Sequence, residues 1–267
     1  MNAEACHETG RQVFGLIGHP LGHSFSAAYF KRKFEEGGME AFSYLNFDME
    51  DLSSGIPLLK SDNRYAGFNV TIPYKQRIKE FLDSLSPEAS AIGAVNTVKV
   101  ERDGTWTGHN TDCVGFYESL RRFLPEGARF PSLVLGNGGA SQAVQYALHR
   151  HGWRYFLACR HPQESGKAFA PAKTFTYAGL PAHVVSGCRL IVNTTSLGMF
   201  PDVESCPVIP YEAVGADHFA FDLVYNPVET AFMKRCSERG AKICNGLEML
   251  YLQAEAAWKV WTGPSVG

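Results

Sequence analysis

Apolar and polar positions along this chain change period repeatedly, and each change marks an element. Val13–Gly18 (VFGLIG) is an unbroken apolar run closed by Gly and Pro, which reads as a buried strand. From Ser26 to Gly37 the apolar residues Ala27, Phe30 and Phe34 recur at three and four, the spacing of a helix face, and Gly37-Gly38 stops it. A strand over Phe42–Phe47, a helix near Asp51–Lys60, a strand over Gly67–Ile72 and a helix over Tyr74–Leu82 follow. Two short strands then flank an Asp103-Gly104 turn. In NVTIPYK, Asn69 and Thr71 alternate with Val70 and Ile72, so the first pair is expected on one face and the second in a core, with Pro73 ending the pairing. Strands alternating with helices predict a mainly parallel α/β sheet.

A fresh strand–glycine–helix unit begins after Asp112. Val114–Phe123 reads as a connecting helix, Ser132–Gly136 as a strand and Ala140–His151 as a helix. Tyr155–Cys159, Thr174–Tyr177, Leu190–Asn193, Phe219–Leu223 and Ala241–Asn245 are further strands, and Thr230–Arg239 is a helix. Leu247–Trp261 is a strong final helix, with Leu250, Ala254, Ala257 and Trp258 along one side. The fold class is therefore α/β in two domains, with a boundary at about residue 112.

Composition removes several classes of function. With 25 basic and 27 acidic residues the net charge is −2, which gives no general attraction to nucleic acid or to an anionic membrane. No apolar run approaches the roughly 18 residues a membrane span needs, and the N-terminus lacks a signal-peptide core. Seven cysteines form no CxxC pair and read as reduced thiols, which with the missing targeting signals predicts a cytoplasmic protein. The nine histidines show no HExxH, so no metal is expected.

LVLGNGGAS places Gly136, Asn137, Gly138, Gly139, Ala140 and Ser141 between a strand and a helix, the context of a pyrophosphate-binding turn. Ser141 stands in the third glycine place of that pattern. The next strand ends ACRH, with Arg160 where an NAD-binding unit usually carries an acid. An arginine there suits a 2′-phosphate and favours NADP, and His161 can add a donor. Lys167 reads as a solvated helix residue. Ser24 and Ser26 form a pair of hydroxyls at a helix entrance, where capping is the ordinary role. Asn96, Asp112, Tyr225 and Gln253 each have a bland reading when taken alone.

Taken in order, GHPLGHSFS, NVTIPYK, GAVNTV, GHNTD, GNGGAS, NTTSLGM, DLVYNP and NGLEMLYLQ resemble the shikimate dehydrogenase family over almost the whole chain. The resemblance implies an N-terminal α/β substrate domain, a Rossmann-type NADP-binding domain and a C-terminal helix that returns to the first. That gives domains of 1–111 with 246–267, and 112–245. It implies Lys75 and Asp112 as the catalytic pair. Ser24, Ser26 and Tyr225 would hold the substrate carboxylate, and Asn69, Thr71, Asn96, Asp112 and Gln253 the ring hydroxyls. Gly136–Ser141 and Arg160 would hold NADP, with Asn193, Thr194, Thr195, Ser196 and Met249 on the nicotinamide side. Two departures stand out: Ala27 replaces a usual proline, and the phosphate-clamping segment keeps one arginine. The implied activity is the reversible NADPH-dependent reduction of 3-dehydroshikimate to shikimate, by a monomer or homodimer. The rivals are a quinate-using paralogue, with NAD or NADP, and a non-catalytic sensor of a dinucleotide or ring acid.

Overall fold

A computed structural model of the 267-residue chain describes residues 12–22, 25–162, 169 and 171–263. It divides into two compact units. One takes the chain up to Ser90, Ala94–Asn110 and the chain from Ala257 onward; the other takes Ala91–Gly93 and Thr111–Ala256.

The first unit contains strands β1 (Gln12–Gly18), β2 (Phe42–Asp48), β3 (Tyr65–Val70), β4 (Ser84–Leu85), β5 (Thr97–Val100) and β6 (Trp106–His109). They form one sheet in the order β2-β1-β3-β5-β6-β4. β1 pairs in parallel with both β2 and β3, as the helical crossovers α1 (Phe25–Glu36) and α2 (Leu52–Lys60) require. The β5–β6 hairpin pairs antiparallel, and β3 meets β5 antiparallel as well. The unbroken apolar run of β1 is explained by its place inside the sheet, where every residue after Gln12 is buried.

One face of this sheet packs Phe68, Val70, Val98 and Trp106 against Leu52, Ile56 and Leu59 of α2. On the other, Phe14 meets Phe34, Phe42, Trp258 and Trp261 at ring-centroid distances of 4.8–6.1 Å. Trp261 also donates its indole N–H to the Val98 carbonyl at 2.9 Å. It lies where a side chain on Gly67 would be: a Cβ there would stand 2.3 Å from the indole nitrogen.

Two expectations in this unit are corrected. Pairing of β3 stops at Val70, and Ile72 is 64% exposed rather than in a core. The chain turns instead, with the Thr71 amide on the Ile17 carbonyl and the His19 amide on that of Ile72. Tyr74–Leu82 is not an α-helix but a single 3-10 turn, Arg77–Phe81. Asp83 bonds to Trp106 and Ser84–Leu85 enters the sheet beside β6, so too little chain remains for more turns. A short helix, α3 (Pro87–Ile92), was not expected; six residues leave no periodic pattern to read.

The second unit opens with α4 (Asp112–Phe123) and continues as β7 (Ser132–Leu135), α5 (Gly139–Arg150), β8 (Tyr155–Ala158), β9 (Thr174–Phe175), α6 (Ala182–Gly187), β10 (Leu190–Asn193), β11 (Phe219–Asp222), α7 (Ala231–Ser237) and β12 (Lys242–Cys244). All pairings are parallel, in the order β12-β11-β10-β7-β8-β9. Read from the other edge this is 3-2-1-4-5-6, the doubly wound arrangement of dinucleotide-binding units. Phe116 and Phe123 of α4 pack on Phe219 and Phe221 of β11. The described cysteines are free thiols, and Cys113, Cys159, Cys188 and Cys236 are buried. Among the described residues, no helix is long and apolar enough to cross a membrane.

The final helix, α8 (Leu247–Thr262), is divided between the units after Ala256, whereas the sequence assigned it whole to the first. Its N-terminal part rests on α4 at Gly115. A Cβ at Gly115 would stand 2.7 Å from the Met249 carbonyl oxygen and 2.8 Å from the Gln253 nitrogen, both backbone atoms. Alanine at Gly115 would gain about 1 kcal/mol of helix propensity but force apart two packed backbones, which costs about 1–3 kcal/mol and more where nothing yields. The net expectation for Gly115→Ala is a lower urea midpoint with an unchanged slope. A midpoint equal to that of the unaltered chain would show that the two helices separate freely.

Candidate active site

In the first unit Asn69 lies at the carboxyl end of the parallel strand β3, Asn96 immediately precedes the antiparallel strand β5, and Ser26 is in the first turn of α1. Asn69, the penultimate residue of β3, is buried and lies between Leu16 of β1 and Thr97 of β5. Its Oδ1 accepts from the Tyr44 hydroxyl at 2.8 Å. Its Nδ2 donates to Thr97 Oγ1 at 3.3 Å and to the Asn96 carbonyl at 3.4 Å. Thr97 Oγ1 in turn donates to Asn96 Oδ1 at 3.2 Å. Ser26 also bonds Tyr44, whose phenol is pushed up by burial, a shift that the Ser26 bond opposes. Ser26, Asn69 and Asn96 are thus joined into one network, buried at Asn69, Asn96 and Thr97 and half-buried at Ser26 and Tyr44, by Tyr44 and Thr97, neither of which the sequence reading had singled out. Thr97 carried a signal, since it follows Asn96 in GAVNTV; Tyr44 did not, because a tyrosine in an apolar strand reads as core. Ser24 lies outside the described residues, as do Lys167 and Cys6.

The turn after β3 presents Thr71 and Lys75, both half-buried. Tyr74 anchors it: the ring is buried and the hydroxyl donates to the carbonyls of Met49 and Glu50. The Lys75 carbonyl accepts from the Val95 amide at 2.7 Å, which ties the turn to the strand entrance carrying Asn96.

In the second unit Asp112 is the first residue of α4 and only 5% exposed, at a helix end where unpaired N–H groups favour a carboxylate. Gly115, one turn on, brings α4 against Met249 and Gln253 of α8, which are both buried. Gln253 donates to the Leu250 carbonyl at 3.0 Å. Tyr225 follows β11, half-buried, and burial raises its phenol above the ordinary value, which keeps it a neutral O–H donor.

The glycine turn stands between β7 and β10, where the strand order reverses. Gly136 has φ +104°, a conformation that favours glycine, and a Cβ there would meet Thr194 Oγ1 at 2.8 Å. Ser141, in the third place of the motif, is buried and turned inward: it donates to the Gly136 carbonyl at 2.5 Å and accepts from Gln145 at 3.0 Å. Gly138 is different. It caps α5 with ordinary extended dihedrals, and no atom lies within 4 Å of where its Cβ would be. The first N–H groups of α5, from Gly139 and Ala140 onward, follow directly, and unpaired N–H groups at a helix start attract an anion. Asn137 reaches the His161 carbonyl at 3.5 Å. Arg160 is exposed two residues beyond β8. Nearby, burial pushes the Tyr177 phenol up to about 12, Cys159 adds to this, and the Arg160 charge opposes it.

Asn193 ends β10. Its Oδ1 accepts from the Thr195 amide at 3.0 Å and the Thr195 hydroxyl at 2.7 Å, while Thr194 donates back to the Leu135 carbonyl at 2.5 Å. Ser196 is exposed beyond them. Asn193 Nδ2 donates at 3.0 Å to Asp222, which the sequence reading passed over although it is the one acid in the apolar strand FAFD. Burial pushes the Asp222 carboxyl up from 3.8 to about 6, against hydrogen bonds from Thr230, the Val224 amide and Asn193.

The strand order, the glycine turn at its reversal and the open helix N-terminus define a two-domain α/β protein with a Rossmann-type dinucleotide-binding unit. Residues 16–98 match the shikimate dehydrogenase substrate binding domain. The chain is 41% identical to the shikimate dehydrogenase (NADP(+)) of Moorella thermoacetica, covering 94% of this chain and 88% of that one. It belongs to the shikimate dehydrogenase family. Among solved structures, the shikimate 5-dehydrogenase of Thermus thermophilus in complex with NADP(H) and shikimate superposes with a TM-score of 0.84 at 35% identity, over 95% of this chain and 94% of that one. The quinate dehydrogenase of Corynebacterium glutamicum in complex with NAD gives 0.83 at 28% identity, over 96% and 95%.

Two measurements check this site. Gly138→Val should leave the melting temperature nearly unchanged, because its side chain enters open space, yet weaken NADPH binding by on the order of tenfold or more by occupying the pyrophosphate position. Unaltered affinity by fluorescence titration would place the dinucleotide elsewhere. The second concerns pH. A carboxyl raised in the folded state adds stability below its unfolded value and loses it as pH rises through the folded one. Asp222 should therefore cost the native state about 3 kcal/mol as pH rises from about 4 to above 6. Urea titrations of the unaltered chain and Asp222→Asn across that range should diverge accordingly, the variant being the more stable at neutral pH.

Proposed function

We propose that this protein catalyses the reversible NADPH-dependent reduction of 3-dehydroshikimate to shikimate. The observation that carries the reading is the hydrogen-bonded network of Ser26, Tyr44, Asn69, Thr97 and Asn96 beside the turn that presents Lys75. A face of fixed amides and hydroxyls suits a small polyhydroxylated ring. Family membership and the neighbours bearing NADP and shikimate support the same conclusion.

NADPH would supply the hydride when bound, and NADP⁺ would accept it in the oxidation direction. The remaining work falls to the chain. Asn69, Thr71, Asn96 and Gln253 hold ring hydroxyls, and Ser24, Ser26 and Tyr225 hold the carboxylate. Lys75 donates a proton to the carbonyl oxygen as negative charge develops there, and takes it back in the oxidation direction. Asp112 orients Lys75 and a ring hydroxyl. Gly136–Ala140 carry the pyrophosphate on backbone N–H groups, and Ser141 keeps the turn in shape. Arg160 grips the 2′-phosphate, and Asn193, Thr194, Thr195, Ser196 and Met249 line the nicotinamide side. The division of labour follows the chain, with residues 1–111 and 246–267 for substrate and 112–245 for cofactor. The enzyme acts in the cytoplasm as a monomer or homodimer without a nucleic-acid partner.

The test is absorbance of the reduced nicotinamide with shikimate or quinate and NADP⁺ or NAD⁺. Shikimate with NADP⁺ should be the fast pairing, and Lys75→Ala should lower kcat by about 10²–10⁴ with a smaller change in KM. Turnover only with quinate, or only with NAD⁺, would move the chain to the quinate branch. A Lys75→Ala variant with undiminished kcat would remove Lys75 from the chemistry, and no turnover in any pairing would leave a binding protein.

A further inference from the structure

Asp222 stands out among the buried groups because none of the roles above uses it. It is fully buried at the end of β11, and its carboxylate is surrounded by donors. Oδ1 accepts from Asn193 Nδ2 and from the Val224 amide, each at 3.0 Å. Oδ2 accepts from the Thr230 hydroxyl at 2.6 Å. The bonds continue outward in both directions. Asn193, with its amide nitrogen committed to Asp222, must turn its oxygen to Thr195, and Thr195 then accepts from the Leu197 amide at 3.3 Å. The Leu223 amide donates to the Asn193 carbonyl at 2.9 Å, so the two residues before Tyr225 are tied to this same cluster. Thr230 also caps α7 through the Met233 amide at 3.2 Å.

An asparagine side chain can face either way, and only its partners choose. Here the choice is made by the carboxylate: two oxygens that only accept oblige Asn193 to present its nitrogen. A buried charge is costly, and a neutral residue of the same shape would serve packing alone equally well or better. The placement of a charge here points to the orientation that it imposes.

Building on the function proposed above, we propose that Asp222 is a positioning residue for the reduction. Its carboxylate locks the Asn193–Leu197 turn on the nicotinamide side and the backbone leading into Tyr225 into one hydrogen-bonded unit. Asparagine in its place has one accepting oxygen for three donors. It can keep the Asn193 and Val224 bonds on its oxygen while its nitrogen donates to the Thr230 hydroxyl, or turn over and lose both, so the orientation of Asn193 is no longer enforced.

The test reads NADPH binding by fluorescence, which needs no substrate and so stands apart from whether shikimate is turned over. Asp222→Asn should keep or raise the melting temperature at neutral pH while weakening NADPH binding several-fold. If shikimate is the substrate, its kcat falls as well. Thr230→Val is the control: it removes the third donor and the helix cap but leaves the Asn193 and Val224 bonds, so it should lower the melting temperature and leave NADPH affinity within about twofold. Asn193→Ala should weaken binding as Asp222→Asn does, and the double variant should be no worse than the weaker single, because the two act through one contact. Unaltered affinity in Asp222→Asn would overturn the proposal. So would losses of affinity that track melting temperature across Asp222→Asn and Thr230→Val. If Asp222→Asn fails to fold, Asn193→Ala decides: weakened binding at an unaltered melting temperature supports the proposal, and unaltered binding defeats it.

Discussion

The close approach of Trp261 to Gly67 is the constraint on which the first unit rests. An indole lies against the backbone of β3, hydrogen-bonded to its neighbour β5 through the Val98 carbonyl, in space that any side chain on Gly67 would fill. Around it Phe14, Phe30, Phe34, Phe42 and Trp258 close one face of the sheet. That cover leaves Asn69, two residues along the strand, buried enough for its amide to be fixed by Tyr44 and Thr97 rather than by water. Gly115 does the same for the other part of the final helix, where backbone meets backbone and Met249 and Gln253 are held. In both places the site is set by what is missing from a glycine.

The two units handle buried polarity by the same rule with different charge. In the first, amides and hydroxyls satisfy one another without a net charge, which leaves them able to exchange partners with a polyhydroxylated ring at small cost. In the second, a carboxylate is kept among donors although burial raises its pKa to about 6. Neutral networks tolerate either direction of a hydrogen bond, whereas an ionised acceptor enforces one. A face that reads several hydroxyls can use the first kind, and a turn whose single orientation matters needs the second.

Much of the fold was legible in the sequence because local period and tertiary burial agree. VFGLIG is apolar throughout, and it lies between two strands with both faces covered. Phe30 and Phe34 sit at helical spacing and both are buried. The failures occur where length or context decides. Tyr74 and Ile78 have helical spacing, yet the following residues are drawn into the sheet and leave one 3-10 turn. Ile72 alternates correctly with Val70, yet the strand has already ended. The short helices α3 and α6 have too few residues for any period to show.

For the site, the sequence by itself determined the chemistry available: which residues can donate, accept, carry a phosphate or move a proton, and in what order they occur. Those are properties of residue types and motifs, and they survive without coordinates. Only the tertiary structure decided which of them share a network. Thr97 joins the residues proposed to bind substrate because strand register places it across from Asn69, Tyr44 reaches the same amide from β2 on the far side of β1, and Ser141 turns into the glycine loop, where it bonds the Gly136 carbonyl and Gln145. Asp222 gains its hold on Asn193 because two parallel strands end at the same level. Register and burial are properties of the whole sheet, and no single stretch of chain encodes them.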